Sequence, residues 1–258
     1  FDSFVNFPRL KLPTNIVIDE LHSSMTKYGS SYLCVLVDNE KRCIFELLPS
    51  RSKHDLNRYF EKIPQPEKDA IRYVTMDMWL PYKDVTLKHF KNCKIAVDPF
   101  HVVKHIIQVF TNLRVQIQNQ LEYGSVSYYV LKTWHRLLDR DIKLDNEPQY
   151  NRVLKRKVNK RELYNMMLDI SEELTLAYQL KEKYRHFNKY TNYEDCEEHF
   201  DDLVSLFQKA NLSIYEEFIA TITNWKSEIL NSFKRPYENR KQSNALAENM
   251  NSQIRTHM

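Results

Sequence analysis

The sequence predicts an α/β chain in which a mixed sheet with flanking helices is interrupted by a long all-helical block. Three observations carry this. Residues 14–49 alternate β-rich runs with turn residues. Residues 52–97 then alternate helical and strand-like runs. From Phe100 to about Trp225 the apolar residues recur at helical spacing with almost no strand signal. With 258 residues, 42% of them hydrophobic, there is material for one large domain or for a domain with a substantial insertion.

The first strands are expected over Asn15–Asp19, Ser31–Asp38 and Arg42–Leu48, with Asp38-Asn39-Glu40-Lys41 as a tight turn between the second and third. After Pro49, Leu56, Tyr59, Phe60 and Ile63 fall at helical spacing behind a Ser52 cap, which supplies the crossover that a parallel strand requires. Ala70–Met76 reads as a buried strand, Pro81–Phe90 as a short helix and Lys94–Val97 as another strand. Strand, strand, strand, helix, strand, helix, strand is the order of an RNase H-like core. The helical block carries Val102, Ile106, Val109 and Leu113, and later Leu163, Met167, Ile170 and Leu174. A further acidic motif follows it, so the block is expected to be an insertion. The expected organisation is a linker over 1–13, the first part of the core over 14–109, a helical insertion over 110–240, and a last core helix over 241–258.

Composition excludes several functions. Gly29 and Gly124 are the only glycines, so no glycine-rich phosphate loop of the dinucleotide or nucleotide-triphosphate kind can form. The formal charge of +4, with acids and bases interspersed, neither requires nor excludes a polyanionic partner. Cys34, Cys43, Cys93 and Cys196 show no CxxC pair and read as free thiols of a reducing cytoplasm. No apolar run reaches eighteen residues and the start lacks a signal-peptide pattern, so neither export nor a membrane span is expected.

Asp19 and Asp77 each end an apolar β-type run. A carboxylate there is exposed at the sheet's edge while its backbone is fixed by the ladder, although a strand-terminal aspartate is often only a turn or cap residue. If the two strands are neighbours, the side chains converge and could hold two Mg²⁺ ions, with Mn²⁺ substituting, for phosphodiester displacement. Glu248 shares a helix face with Asn244, Asn251 and Arg255, opposite Leu246, Met250 and Ile254. Asp98 and His101 lack partners at zinc-finger spacing and read as a structural or DNA-positioning pair. Arg152, Arg156 and Lys160 would share one face of a helix, either as a solvated stripe or as phosphate contacts. Lys234, Arg235, Arg240 and Lys241 precede the last acidic motif, whose nearness favours a nucleic-acid role.

Four strings, Ile18-Asp19-Glu20, Thr75 to Tyr82, Val97-Asp98-Pro99-Phe100-His101-Val102-Val103-Lys104 and Ser243 to Asn251, resemble in wording and order the DDE transposases of the ISL3 insertion-sequence family. Arg51, after Leu47-Leu48-Pro49, resembles an arginine that this family carries after its third strand, and it joins the candidate DNA contacts. The resemblance implies an RNase H-like core that cuts and joins DNA with two divalent ions. Asp19, Asp77 and Glu248 would be the catalytic, metal-holding acids, and Asp98 and His101 would play a supporting role. It also implies DNA partners at transposon ends and targets, a homo-oligomer on paired ends, and a place in the bacterial cytoplasm. The gaps, 77 − 19 = 58 and 248 − 77 = 171 residues, leave room for a large insertion before the last acid. Pro99 departs from the arginine expected at that element. The chain lacks the family's N-terminal zinc-binding and helix-turn-helix segments and stops ten residues after Glu248 (258 − 248), so a fragment of a longer transposase is expected. Two other readings stand beside this one. They are a transposase remnant that binds nucleic acid or partners without cutting, and a stand-alone RNase H-like nuclease.

Overall fold

The computed structural model describes residues 10–22 and 32–235. These form two compact units, one from the residues up to Val102 together with those from Trp225 onward, the other from Val103 to Asn224.

The first unit is built on a five-stranded sheet: β1 (Asn15–His22), β2 (Tyr32–Asp38), β3 (Cys43–Leu48), β4 (Tyr73–Met76) and β5 (Lys94–Val97), in the order β3-β2-β1-β4-β5. β1, β2 and β3 pair antiparallel, whereas β4 pairs parallel to β1 and β5 parallel to β4. The antiparallel pairs need no crossover. Asp38 makes the tight turn between β2 and β3, its Oδ1 accepting from the backbone N–H groups of Glu40 and Lys41 at 3.0 and 2.9 Å. The parallel strands need crossovers, and these are α1 (Lys53–Glu61) with the short α2 (Gln65–Asp69), then α3 (Leu80–His89). Ser52 caps α1 as its composition suggests, its Oγ accepting from the Asp55 N–H at 3.1 Å. The α2 turn occupies residues that sequence alone left without an element, with Pro66 in its first turn.

Alternation along the strands sorts the core. Ile16, Ile18, Val74, Met76 and Ile95 face one side, where Leu56 and Phe60 of α1, Tyr82 and Val85 of α3, and Phe90 cover them. Val17, Leu21, Val35 and Val37 line the other side. Phe60 is fully buried and meets Phe90 edge-on with ring centroids 4.9 Å apart. Helix α11 (Lys226–Asn231), also in this unit, packs on β5, with Asn231 Nδ2 donating to the Ile95 carbonyl at 2.9 Å.

β1 departs from its expected end. It runs on past Asp19 to His22 because Glu20, Leu21 and His22 still pair with Cys34, Leu33 and Tyr32 of β2. On its other edge the ladder to β4 stops at Val17 and Thr75. Asp19 is therefore inside the strand on the β2 side and beyond the ladder on the β4 side.

α4 (Pro99–Gln120) begins in the first unit and continues into the second, which also holds α5 (Val126–Trp134), α6 (Arg136–Asp139), α7 (Lys160–Leu168), α8 (Glu172–Tyr190), α9 (Cys196–Ala210) and α10 (Glu216–Asn224). Its core includes an aromatic cluster: Tyr184 of α8, Phe207 of α9, Phe218 of α10 and Tyr215 are all buried. The Tyr215 hydroxyl donates to the Ala177 carbonyl at 2.8 Å, which satisfies its buried polar end. The ammonium of Lys181 is likewise fully buried and 2.8 Å from Glu182, with the ring centroids of Tyr178 and Phe110 4.4 and 4.7 Å away.

Helical spacing misled over Arg152, Arg156 and Lys160. Instead of one helix face, this stretch forms a hairpin of β6 (Gln149–Asn151) and β7 (Arg156–Val158), with Lys160 opening α7. Asn151 organises the turn, accepting from the N–H groups of Val153 and Leu154, and Lys155 takes the left-handed conformation with φ 52°. The helix starts only after Asn159, which forms a capping box with Glu162.

Candidate metal centre

The register of the three parallel strands arranges the site. The last β1–β4 couple is Val17 with Thr75, so Asp19 and Asp77, each two residues further, stand level. The last β4–β5 couple is Met76 with Val97, so Asp77 and Asp98, each one residue further, stand level too. The Asp98 N–H donates to the Met76 carbonyl at 2.9 Å and fixes that alignment. Three aspartates thus form a row across β1, β4 and β5 at one edge of the sheet, on strands separated by about 4.8 Å. The 58-residue gap between Asp19 and Asp77 is also the register offset of their strands (73 − 15).

Each strand end also explains its acid. Asp77 begins a tight turn in which its carbonyl accepts from the Trp79 N–H at 2.7 Å, just before α3. Asp98 precedes Pro99, the first residue of α4, and its Oδ1 accepts from the Phe100 N–H at 3.3 Å as an N-cap does. The helix start presents N–H groups and a positive dipole end to this carboxylate, which offsets part of the cost of burying it completely. Asp19 is also buried, whereas Asp77 is partly open to solvent.

One turn into α4, His101 closes the group. Its Nε2 lies 3.0 Å from Asp77 Oδ1 and 3.8 Å from Asp98 Oδ2, and among the described residues one ligand atom from each of Asp77, Asp98 and His101 falls within 4.8 Å of the others. Burial by itself would depress the imidazole pKa. The hydrogen bond and charge of Asp77, with the charges of Asp98 and Asp19, outweigh burial and raise it above the ordinary value. The ring accordingly stays protonated to higher pH and holds its proton toward Asp77. The sign follows: the pairing contributes its full stability below the unfolded-state pKa near 6.5 and loses it as pH rises through the raised folded value. NMR titration of the metal-free chain should place His101 above 6.5, and Asp77→Asn should bring it down. An unshifted His101 in both proteins would contradict the pairing.

A family model for transposases, of the DDE type named for ISL3, matches residues 16–257. The chain belongs to that transposase family. It is also similar to the transposase for insertion sequence element IS1001 of Bordetella parapertussis, with 30% identity over 49% of this chain, an alignment that spans 34% of the relative. No solved structure matches.

The row of acids in this transposase family member includes two of its expected catalytic acids, Asp19 and Asp77, and brings Asp98 and His101 against Asp77. Glu248, Arg240 and Lys241 lie outside the described residues. The other expected DNA contacts are scattered. Arg156 pairs with Glu162 at 2.6 Å on an exposed surface of the second unit, while Arg152 is exposed and Lys160 half-buried there. Lys234 follows α11 and its side chain meets that of Lys94, whose pKa is lowered by this neighbour. Lys94 starts β5 and Asp98 follows its end, so Lys234 approaches the sheet at the edge opposite the aspartate row, roughly 13 Å along the strand. Its nearness in sequence to the last motif is therefore not nearness to the row; Arg235 is the next residue. Arg51 is engaged by Glu20, Tyr32 and Trp79. Glu20 and Trp79 stand inside the strings around Asp19 and Asp77, each within two positions of a catalytic candidate, but no local signal ties them or Tyr32 to Arg51.

The donors suit a hard divalent cation. Carboxylate oxygens from adjacent strands favour Mg²⁺ or Mn²⁺, whereas a protonated imidazole cannot act as a ligand until it gives up its proton. No described helix is long and apolar enough to cross a membrane.

Proposed function

We propose that this chain is the catalytic region of a DDE transposase that cleaves DNA at transposon ends and joins the freed 3′-hydroxyl to target DNA in the bacterial cytoplasm. The observation that carries the reading is the level row of Asp19, Asp77 and Asp98 across three parallel strands. The order β3-β2-β1-β4-β5, with the first three strands antiparallel, supports an RNase H-like core, and the segment 103–224 supports a helical insertion domain within it.

Asp19 and Asp77 would hold two Mg²⁺ ions, or Mn²⁺ in their place, with Asp98 beside them and Glu248 as the third catalytic acid. When bound, such ions supply activation of a water or a 3′-hydroxyl and stabilise charge on the phosphate in flight. The chain's own residues fix the acids by register, bury Asp19 and Asp98 from competing water, and set His101 Nε2 against Asp77, whose charge favours the protonated ring. Arg152, Arg156, Lys160, Lys234, Arg235, Arg240 and Lys241 are the residues we propose for phosphate contact, and the transposon-end complex would be a homo-oligomer.

The test is an assay with oligonucleotides carrying the ends of the element that encodes the chain. Mg²⁺-dependent nicking followed by strand transfer is the expected result. Degradation of RNA–DNA hybrids without transfer would mark a nuclease instead. Salt-sensitive binding with no cleavage would mark a binding module.

A further inference from the structure

Arg51 stands between β3 and α1, and three side chains take up its guanidinium. Nη1 pairs with the Glu20 carboxylate. Cζ lies 4.1 Å from the ring centroid of Tyr32 and 4.7 Å from that of Trp79. These partners belong to β1, to β2 and to the turn after β4, so one side chain ties together three segments that surround the aspartate row.

Two links lead from this clamp to the row. Trp79 is the residue whose N–H holds the Asp77 carbonyl at 2.7 Å, and its ring is braced edge-on against the buried Tyr82 with centroids 4.5 Å apart. Fixing the indole therefore fixes the turn from which the Asp77 carboxylate projects. Glu20 follows Asp19 directly, and strand alternation turns it toward the opposite face of the sheet, the side of α1 and α3. Its pairing with Arg51 therefore anchors the β1 backbone one residue from Asp19, from the face opposite the row. Only a planar, delocalised cation can pair with a carboxylate and stack on aromatic faces at once, so lysine would serve one role and forfeit the other.

The geometry points to Arg51 as a positioning residue for the metal centre rather than a phosphate contact, an inference that rests on the metal reading above. It acts through Trp79 on Asp77 and through Glu20 on Asp19, touching neither metal nor substrate.

Mn²⁺ titration of the whole chain, followed by the electron paramagnetic resonance of the free ion, would be run on wild type, Arg51→Gln, Arg51→Lys and Asp77→Asn. Each variant would be measured below its melting temperature, alongside the salt dependence of its binding to a fixed DNA duplex. Arg51→Gln should weaken Mn²⁺ binding by about 10- to 100-fold, as loss of a group that orients metal ligands does. Arg51→Lys, which keeps the charge beside Glu20 and guards against simple misfolding, should fall between. The slope of log affinity against log salt should stay as in wild type. Wild-type Mn²⁺ affinity in both Arg51 variants would overturn the inference, and a slope shallower by about one unit would then make the side chain a phosphate contact. If wild type binds no Mn²⁺, or Asp77→Asn binds it equally well, the metal centre itself fails, a result distinct from failure of the clamp.

Discussion

Asp77→Asn should reduce Mg²⁺-dependent strand cleavage by about a thousandfold or more, since it removes a ligand charge from a centre that contributes several kcal/mol to the transition state. The substitution is isosteric, and an asparagine Oδ1 can still accept from His101, so the row keeps its shape while losing charge. Binding to DNA should change little, because affinity for a duplex comes chiefly from cationic side chains on phosphates and not from an acidic one. Gel assays of cleavage and binding on the same preparation separate the two effects. Cleavage at the wild-type rate would mean that the site has been assigned to the wrong residues.

The second large effect concerns the scaffold. Phe60→Ala removes a fully buried ring that fills the space between α1, α3 and the sheet and meets Phe90 edge-on. Such truncations cost about 3–5 kcal/mol, a large share of the roughly 5–15 kcal/mol that holds a domain together. Urea unfolding followed by circular dichroism should show the loss as a lower midpoint, and cleavage should survive at low temperature, where the sheet still forms. A change below about 1 kcal/mol would show that α1 does not seal this face.

Much of the first unit was legible because its strands are short, apolar and bounded by turn residues. β2, β3, α1, α3 and β5 fall within a few residues of where periodicity puts them. Asp77 and Asp98 were visible as acids just after apolar runs. That they stand in one row with Asp19 was not, because strand register is a long-range property set by pairing partners that no local window contains. The end of β1 was missed for the same reason: Glu20, Leu21 and His22 pair on one edge only, so the strand has two different ends. The hairpin at 149–158 was hidden by basic residues spaced four apart, although Asn159 three positions before Glu162 already marked the later helix start. The Arg51 clamp unites residues from positions 20 to 79 and carries no local signature.

The central claim is that the aspartate row is a divalent-metal site, and the most direct measurement is anomalous diffraction from a crystal of this chain soaked in millimolar Mn²⁺. The account predicts an anomalous peak among the carboxylates of Asp19, Asp77 and Asp98. A map with no peak there, and with the carboxylates turned away from one another, would contradict it.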